Sequence, residues 1–232
     1  MFVLESHSLT KHYRGGDGGV IHILTGVDLS VRRGEMVAVV GASGAGKSTL
    51  LHVLGALDVP TSGSVVVDGR DLSSLGEREL AEVRSRKLGF VFQFHHLLRE
   101  FTALENVMMP QLVAGRSERE AADRARHLLS RFGLAGRMEH RPSELSGGEQ
   151  QRTAVARARA MDPAILLADE PSGNLDLHNA ELLHDVFAEL ARDMEIGMVV
   201  VTHNRALAAR ADRVLTLADG QLAESGAYEG VG

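Results

Sequence analysis

The stretch MVAVVGASGAGKSTLL, residues 36–51, passes through three textures without a break. Met36–Val40 is apolar throughout and rich in β-branched valine, the pattern of a strand buried on both faces. Gly41, Gly44 and Gly46 then punctuate a polar turn, and STLLHVLGAL, residues 48–57, has the apolar spacing of a helix that stops near Asp58 and Pro60. A glycine loop between a strand and a helix lets backbone N–H groups close around phosphate oxygens, with the positive end of the helix dipole behind them. Gly41, Gly46, Lys47 and Ser48 satisfy G-x-x-x-x-G-K-[ST], so Lys47 is the expected partner of β- and γ-phosphates and Ser48 an expected ligand of Mg²⁺. Ser43, Gly44 and Thr49 complete the expected nucleotide cradle. A solvated glycine turn whose lysine meets only water is the competing reading, and the flanking strand and helix count against it.

Upstream, VLESHSLTKHY (3–13), the RGGDGG loop (14–19), GVDLSV (26–31) and RRGE (32–35) read as strands with hairpin punctuation. Downstream, SVVVDGR (64–70) reads as a strand ending in a turn at Asp68-Gly69. From about Glu77 to Leu134 charged helical segments dominate, SEREAADRARHLLSRFG (117–133) being the clearest, and they predict a mostly helical insertion. Strand and helix then alternate: a helix from Gly147, a strand at AILLADE, a helix from about Asn179 to Arg192, a strand at GMVVVTH, a helix across ALAARA and a hairpin at RVLTLADGQLAE. Such alternation implies an α/β fold with a mainly parallel sheet covered on both faces. Neither an internal repeat nor a low-complexity linker divides the chain, so residues 1–232 are expected to form a single domain.

The bulk numbers fit this. With 232 residues, 44% hydrophobic and 24% charged, the chain is long enough to bury a sizeable core. It has no cysteine, which rules out disulfides and thiolate metal sites and suits a reducing compartment. The net charge of −6 argues against a general nucleic-acid binder. The amino terminus lacks a basic segment followed by a long apolar one, and no apolar run approaches the ~20 residues of a membrane span. The expectation is a chain neither exported nor inserted by itself, which reaches a membrane only through partners.

Further residues carry candidate chemistry. AILLADE, residues 164–170, ends an apolar strand in two acids at the carboxyl edge of the sheet, where ligands of parallel sheets sit. Asp169 is expected to hold Mg²⁺ and Glu170 to orient or deprotonate the attacking water. His203, after the strand MVVVT, is expected on the same edge near a γ-phosphate. Gln93, at the end of LGFVFQ, is a candidate sensor of metal or water, and the ring of Tyr13 suits adenine. Each of the three has a bland reading as a structural histidine, a polar strand end or a half-buried tyrosine. At LSGGEQQRTAVARARA, residues 145–160, a second glycine-rich turn opens a helix far from the first. Ser146 and Glu149 form a capping box that needs no ligand. Gly147 and Gly148 are not explained by it, since each glycine costs a helix roughly 1 kcal/mol relative to alanine. Small residues there leave N–H groups uncovered for an anion, and one nucleotide needs only one cradle. The residues themselves leave open which anion the second turn serves.

In this order the residues resemble those of the ATP-binding cassette ATPases: Tyr13, the phosphate loop Gly41–Thr49, Gln93, the LSGGE signature at Leu145–Glu149, Asp169 and Glu170, the SGNLD loop with Asp176, and His203. The resemblance covers nearly the whole chain. It implies a P-loop NTPase core with a mainly parallel sheet, an N-terminal antiparallel β subdomain, and an inserted α-helical subdomain at approximately 94–158 that carries the signature. It also implies binding of ATP and Mg²⁺, with Gln93 among the metal contacts and Asp176 among the nucleotide contacts. A head-to-tail homodimer is implied, in which Ser146 and Gly148 of one chain meet the γ-phosphate held by Lys47 of the other. Within the family, KLGFVFQFHHLLREFTALENVMMP, RPSELSGGE and LADEPSGNLD are most similar to cassettes of the lipoprotein-releasing type, with the macrolide-exporter and cell-division types as alternatives. That narrower likeness implies a peripheral ATPase at the cytoplasmic face of the inner membrane, bound to integral permease subunits like LolC and LolE. Phe94, His95, His96, Leu97, Leu98 and Phe101 are then candidates for partner contact, against the alternative that they only fill the helical subdomain. Asn204 after the histidine, Ser172 after Asp-Glu-Pro, and the ARARA ending depart from the family's usual residues without removing a catalytic group. Soluble nucleic-acid or ribosome-associated cassettes fit less well, because the chain has neither a long coiled-coil insertion nor a second cassette.

Overall fold

In the computed structural model, which describes residues 1–16 and 18–225, the strands divide between two sheets that meet water differently. In chain order the elements are β1 (Phe2–Arg14), β2 (Val20–Arg32), β3 (Met36–Val40), α1 (Lys47–Leu54), β4 (Ser62–Val67), β5 (Arg70–Asp71), α2 (Glu77–Lys87) and β6 (Leu88–Phe92). There follow α3 (Ala103–Val113), α4 (Glu118–Arg131), α5 (Gly147–Arg159), β7 (Ile165–Asp169), α6 (Leu177–Met194), β8 (Gly197–Val201), α7 (Arg205–Ala208), β9 (Arg213–Ala218) and β10 (Gln221–Glu224). The first sheet has the order β2-β1-β4-β5 and is antiparallel. Its strands mix buried and exposed residues, as expected where one face is solvated. The second has the order β10-β9-β3-β8-β7-β6 and is parallel except for β10. All five residues of β3 and of β8 are buried, which is why both read as unbroken apolar runs.

Apolar residues collect on both sides of the parallel sheet. One cluster joins Leu50, Leu54, Ile165, Leu167 and Val199 to the antiparallel sheet through Leu4, Leu9 and Val27. The other joins Leu166, Met198 and Val200 to Leu128, Val155 and Phe187 of the helices. Helices start where a side chain answers their first N–H groups: Thr102 with Glu105, Ser117 with Glu120 and Ser146 with Glu149 form capping boxes for α3, α4 and α5.

Local differences from expectation have physical causes. Strand β2 is longer than GVDLSV, because Val20–Gly26 continues the hairpin with β1 although Val20 and Ile21 are exposed. Helix α1 ends at Leu54, because Ala56 turns into the left-handed conformation at φ 53° after the cap Gly55, where an added Cβ would come within 2.4 Å of the Phe90 ring. Helix α6 begins at Leu177 because Asp176 caps it, and the helix expected across ALAARA is one turn, α7, capped by Asn204. The helical run expected from Glu77 is interrupted: α2 leads directly into β6, and α3, α4 and α5 come after that strand and pack on one another. Between β6 and α3 the chain is held by Asn106, fully buried, whose Nδ2 donates to the carbonyls of Leu98 (3.1 Å) and Phe101 (3.0 Å) while its Oδ1 accepts from the Leu98 N–H (2.8 Å).

Candidate functional site

Because β3, β8, β7 and β6 are adjacent and parallel, their carboxyl ends form one edge. Val201 pairs in register with Val39 and with Asp169, and Asp169 with Phe92. The residues that follow are therefore brought together in a row: the phosphate loop after β3, His203 after β8, Asp169 and Glu170 at the end of β7, and Gln93 after β6.

Two glycines of the phosphate loop leave no room for a side chain. A Cβ on Gly41 would lie 2.4 Å from the Leu217 carbonyl oxygen, and one on Gly46, at φ 97°, would lie 2.7 Å from Ile23 Cγ2. Lys47 Nζ donates to the carbonyls of Gly41 and Ala42, both at 2.9 Å, which keeps the ammonium curled over the loop. Gly46 supplies no side-chain cap, so the first N–H groups of α1 have no side-chain acceptor, unlike those of α3 to α7. An uncapped helix start beside a lysine is a donor set that suits a polyphosphate. The Ser48 hydroxyl and the Asp169 carboxylate have no hydrogen-bond or ion-pair partner among the described residues. Hard oxygen donors of this kind fit Mg²⁺.

Glu170 takes a left-handed backbone conformation, φ 45°. For a residue with a Cβ this stores strain, of order 1–3 kcal/mol, that the surroundings must hold. They do so through the Glu170 N–H, which donates to Val201 O at 2.9 Å. The carboxylate accepts the His203 N–H at 3.1 Å and lies 2.9 Å from His203 Nδ1. The Glu170 side chain is 17% exposed and that of His203 73%, so the pair meets at the mouth of the row. Gln93 Nε2 donates to Asn174 Oδ1 at 2.9 Å, which turns the glutamine toward the loop that follows Glu170.

Tyr13 is held from two sides. Its hydroxyl donates to Asp58 Oδ2 at 2.7 Å, and the Lys11 ammonium, itself 2.7 Å from Asp58 Oδ1, stands 4.8 Å from the ring centroid. The Asp58 hydrogen bond, followed by burial and the Asp58 charge, pushes the Tyr13 phenol up, while the Thr49 hydroxyl acts the other way and marks the ring as a neighbour of the phosphate loop. Burial opposes ionisation of Asp58, but hydrogen bonds from Lys11, Tyr13 and the Val59 N–H hold it below the usual carboxylate range.

The signature turn forms a second group. No hydrogen bond or ion pair joins Ser146, Gly147 or Gly148 to the phosphate loop among the described residues. Ser146 Oγ accepts the Glu149 N–H at 3.3 Å, and Glu149 returns a bond from the Ser146 N–H at 2.8 Å. Arg137, 2.8 Å away, is the chief cause that holds the Glu149 carboxyl down. The two glycines differ in their surroundings. Gly147 is exposed, whereas Gly148 is buried, and a Cβ there would lie 2.1 Å from Asn179 Oδ1. Gly148 thus has a cause inside the chain, the close approach of α5 to the start of α6. Asp176, expected to touch nucleotide, accepts from Asn179 N at 2.9 Å and Asn179 Nδ2 at 2.6 Å, and these bonds lower its carboxyl pKa.

The segment proposed for partner contact is bolted to the signature helix. Arg157 of α5 donates to the carbonyls of His95 (2.8 Å) and His96 (2.6 Å), and Gln151 Nε2 donates to Phe92 O at 3.0 Å. Phe94 and Leu98 remain exposed, at 65% and 42%. Asn174, Asn179, Asp58, Gln151 and Arg157 were not singled out from sequence. Polar residues beside a cap or within an Ala-Arg helix look like solvated surface until the fold shows what they reach.

A family model described as "ABC transporter" matches residues 24–173. The chain is 53% identical over 220 residues to the lipoprotein-releasing system ATP-binding protein LolD of Geobacter metallireducens, covering 95% of this chain and 97% of that protein. It is 54% identical over 219 residues to the LolD of Ruegeria pomeroyi, covering 94% and 96%. Among solved structures, a dimeric post-hydrolysis state of the ATP-binding cassette MJ0796 bound to ADP and Pi superposes with a TM-score of 0.88 at 37% identity, covering 98% of this chain and all of that one. The phosphate row, the signature turn and a match across most of the length lead to one conclusion: the chain belongs to the ABC transporter family.

Proposed function

We infer that this chain is the ATP-hydrolysing subunit of an inner-membrane ABC complex that releases lipoproteins for transfer to the outer membrane. The observation that carries the chemistry is the Glu170–His203 pair, 2.9 Å apart, beside the uncapped phosphate loop. Lys47 and the α1 N–H groups hold the β- and γ-phosphates, and Tyr13 flanks the adenine. Ser48 and Asp169, with Gln93 close by, hold Mg²⁺, which when bound neutralises charge building on the transferred phosphoryl group. Glu170 takes a proton from the attacking water, and His203 fixes the carboxylate and faces the γ-phosphate. The cargo reading rests on relatives at about half identity over nearly the full chain whose names carry lipoprotein release.

Two copies form the working unit, a reading that the dimeric cassette relative supports, and in it Ser146 and Gly148 of one close the site of the other. Attachment to the membrane runs through permease subunits of the LolC and LolE kind, a reading supported by the relatives named for lipoprotein release. A groove of about 360 Å³ between α3 and α4, lined by Phe101, Met108, Met109 and Leu112 together with Glu105, Glu118, Glu139 and Arg126, follows the exposed Phe94 and Leu98 along the chain and suits an amphipathic helix of that partner.

The test is reconstitution with the permease subunits in lipoprotein-loaded proteoliposomes. ATP-dependent release that stops with Glu170→Gln is expected; ATP hydrolysis without release of any lipoprotein would overturn the cargo reading and leave the ATPase reading standing.

A further inference from the structure

Helix α6 carries a histidine that the phosphate chemistry does not use. His184 is 1% exposed and Ser172, in the turn after Glu170, is 4% exposed. His184 Nε2 and Ser172 Oγ lie 3.1 Å apart, while His184 Nδ1 is buried without a partner among the described residues. A leucine or phenylalanine would fill such a place without stranding a ring nitrogen, and an unanswered buried polar atom is a cost that packing alone does not explain. The hydroxyl it meets sits at a strategic point. The turn is closed by Gly173 N–H to Glu170 O at 3.0 Å and Leu175 N–H to Ser172 O at 3.2 Å. It fixes two groups of the row at once: Glu170, in its left-handed conformation, and Asn174, the hydrogen-bond partner of Gln93.

We propose that His184 is a positioning residue for Glu170, acting through the Ser172 hydroxyl to hold the turn that aims the carboxylate. This rests on the reading of Glu170 as the residue that activates water. Without the bond the turn gains freedom, and small displacements of a general base are expensive in rate and cheap in substrate affinity.

Steady-state ATPase kinetics of the dimer-forming protein test this. His184→Leu is expected to lower kcat about tenfold with KM for ATP within about twofold. His184→Gln, whose amide reaches the place of Nε2, retains most of the rate, and His184→Asn, whose amide falls short, does not. Ser172→Ala reproduces the loss by itself, and the double variant His184→Leu with Ser172→Ala is no slower than either single one. Losses that multiply in the double variant, or a His184→Leu protein with lowered melting temperature and unchanged kcat, would overturn the proposal and assign His184 to packing. A wild-type protein without ATPase activity would instead sink the hydrolysis reading itself.

Discussion

Single residues here are judged by what they touch. Gly147 and Gly148 look alike in LSGGE, yet only Gly148 is buried, against Asn179. Gly148→Ala should overpack the α5–α6 contact at about 1–3 kcal/mol, lowering the melting temperature by roughly 2–4 °C for each kcal/mol. Gly147→Ala, whose Cβ would meet nothing closer than Leu175 at 3.7 Å, should leave it unchanged or raised, as differential scanning calorimetry can show. This distinction was not legible in sequence, because it depends on where α6 crosses α5. Histidine ionisation gives a second expectation. Burial, aided by the Arg210 charge and opposed by Asp185 and Glu181, holds the His184 pKa below its ordinary value of 6.5, and burial does the same at His95. The unfolded chain then takes up protons first as pH falls, so these groups' stability contribution is complete above about 6.5 and declines as pH drops from there toward the folded pKa values. Urea midpoints should fall between pH 7 and pH 5.5, both about this range, and the decline should be shallower in His184→Gln.

At the level of elements, legibility followed burial. Strands β3 and β8 were readable as uninterrupted valine-rich runs because both faces are covered, whereas the first half of β2, with Val20 and Ile21 exposed, carried no such pattern. A helix start was readable where a capping box announced it, at Ser146, whereas the caps at Ser117 and Asp176 emerged only from the structure. What sequence did not reveal is that α5 is tied to the stretch after β6. Arg157 holds two carbonyls there, those of His95 and His96. Arg157→Ala should loosen that stretch and speed amide hydrogen exchange across residues 93–98 while α1 and β3 keep their protection. Arg157→Lys, a single ammonium in place of a planar fork, should restore only part of it.

For the molecule as a whole, the arrangement of the row and the separate signature turn favours assembly of two copies around nucleotide. Glu170→Gln with ATP and Mg²⁺ should run as a dimer in size-exclusion chromatography. Lys47→Ala should abolish nucleotide binding, while Ser146→Ala should keep binding but lose dimerisation and turnover, beyond the ~1 kcal/mol that loss of a helix cap costs. Since the chain has no cysteine, one thiol introduced at Ser43 and one at Ser146 would report cross-linking between copies against a silent background. The strand order β3-β8-β7-β6 has a last consequence. It works like a row of piano hammers on a single rail: the phosphate loop sits at one end, and Gln93, where the chain departs toward Phe94 and Leu98, at the other. Under the proposed function, cleavage of the terminal phosphate at the near end would be felt at the far end, beside the proposed membrane-partner contact, through the strands that join them.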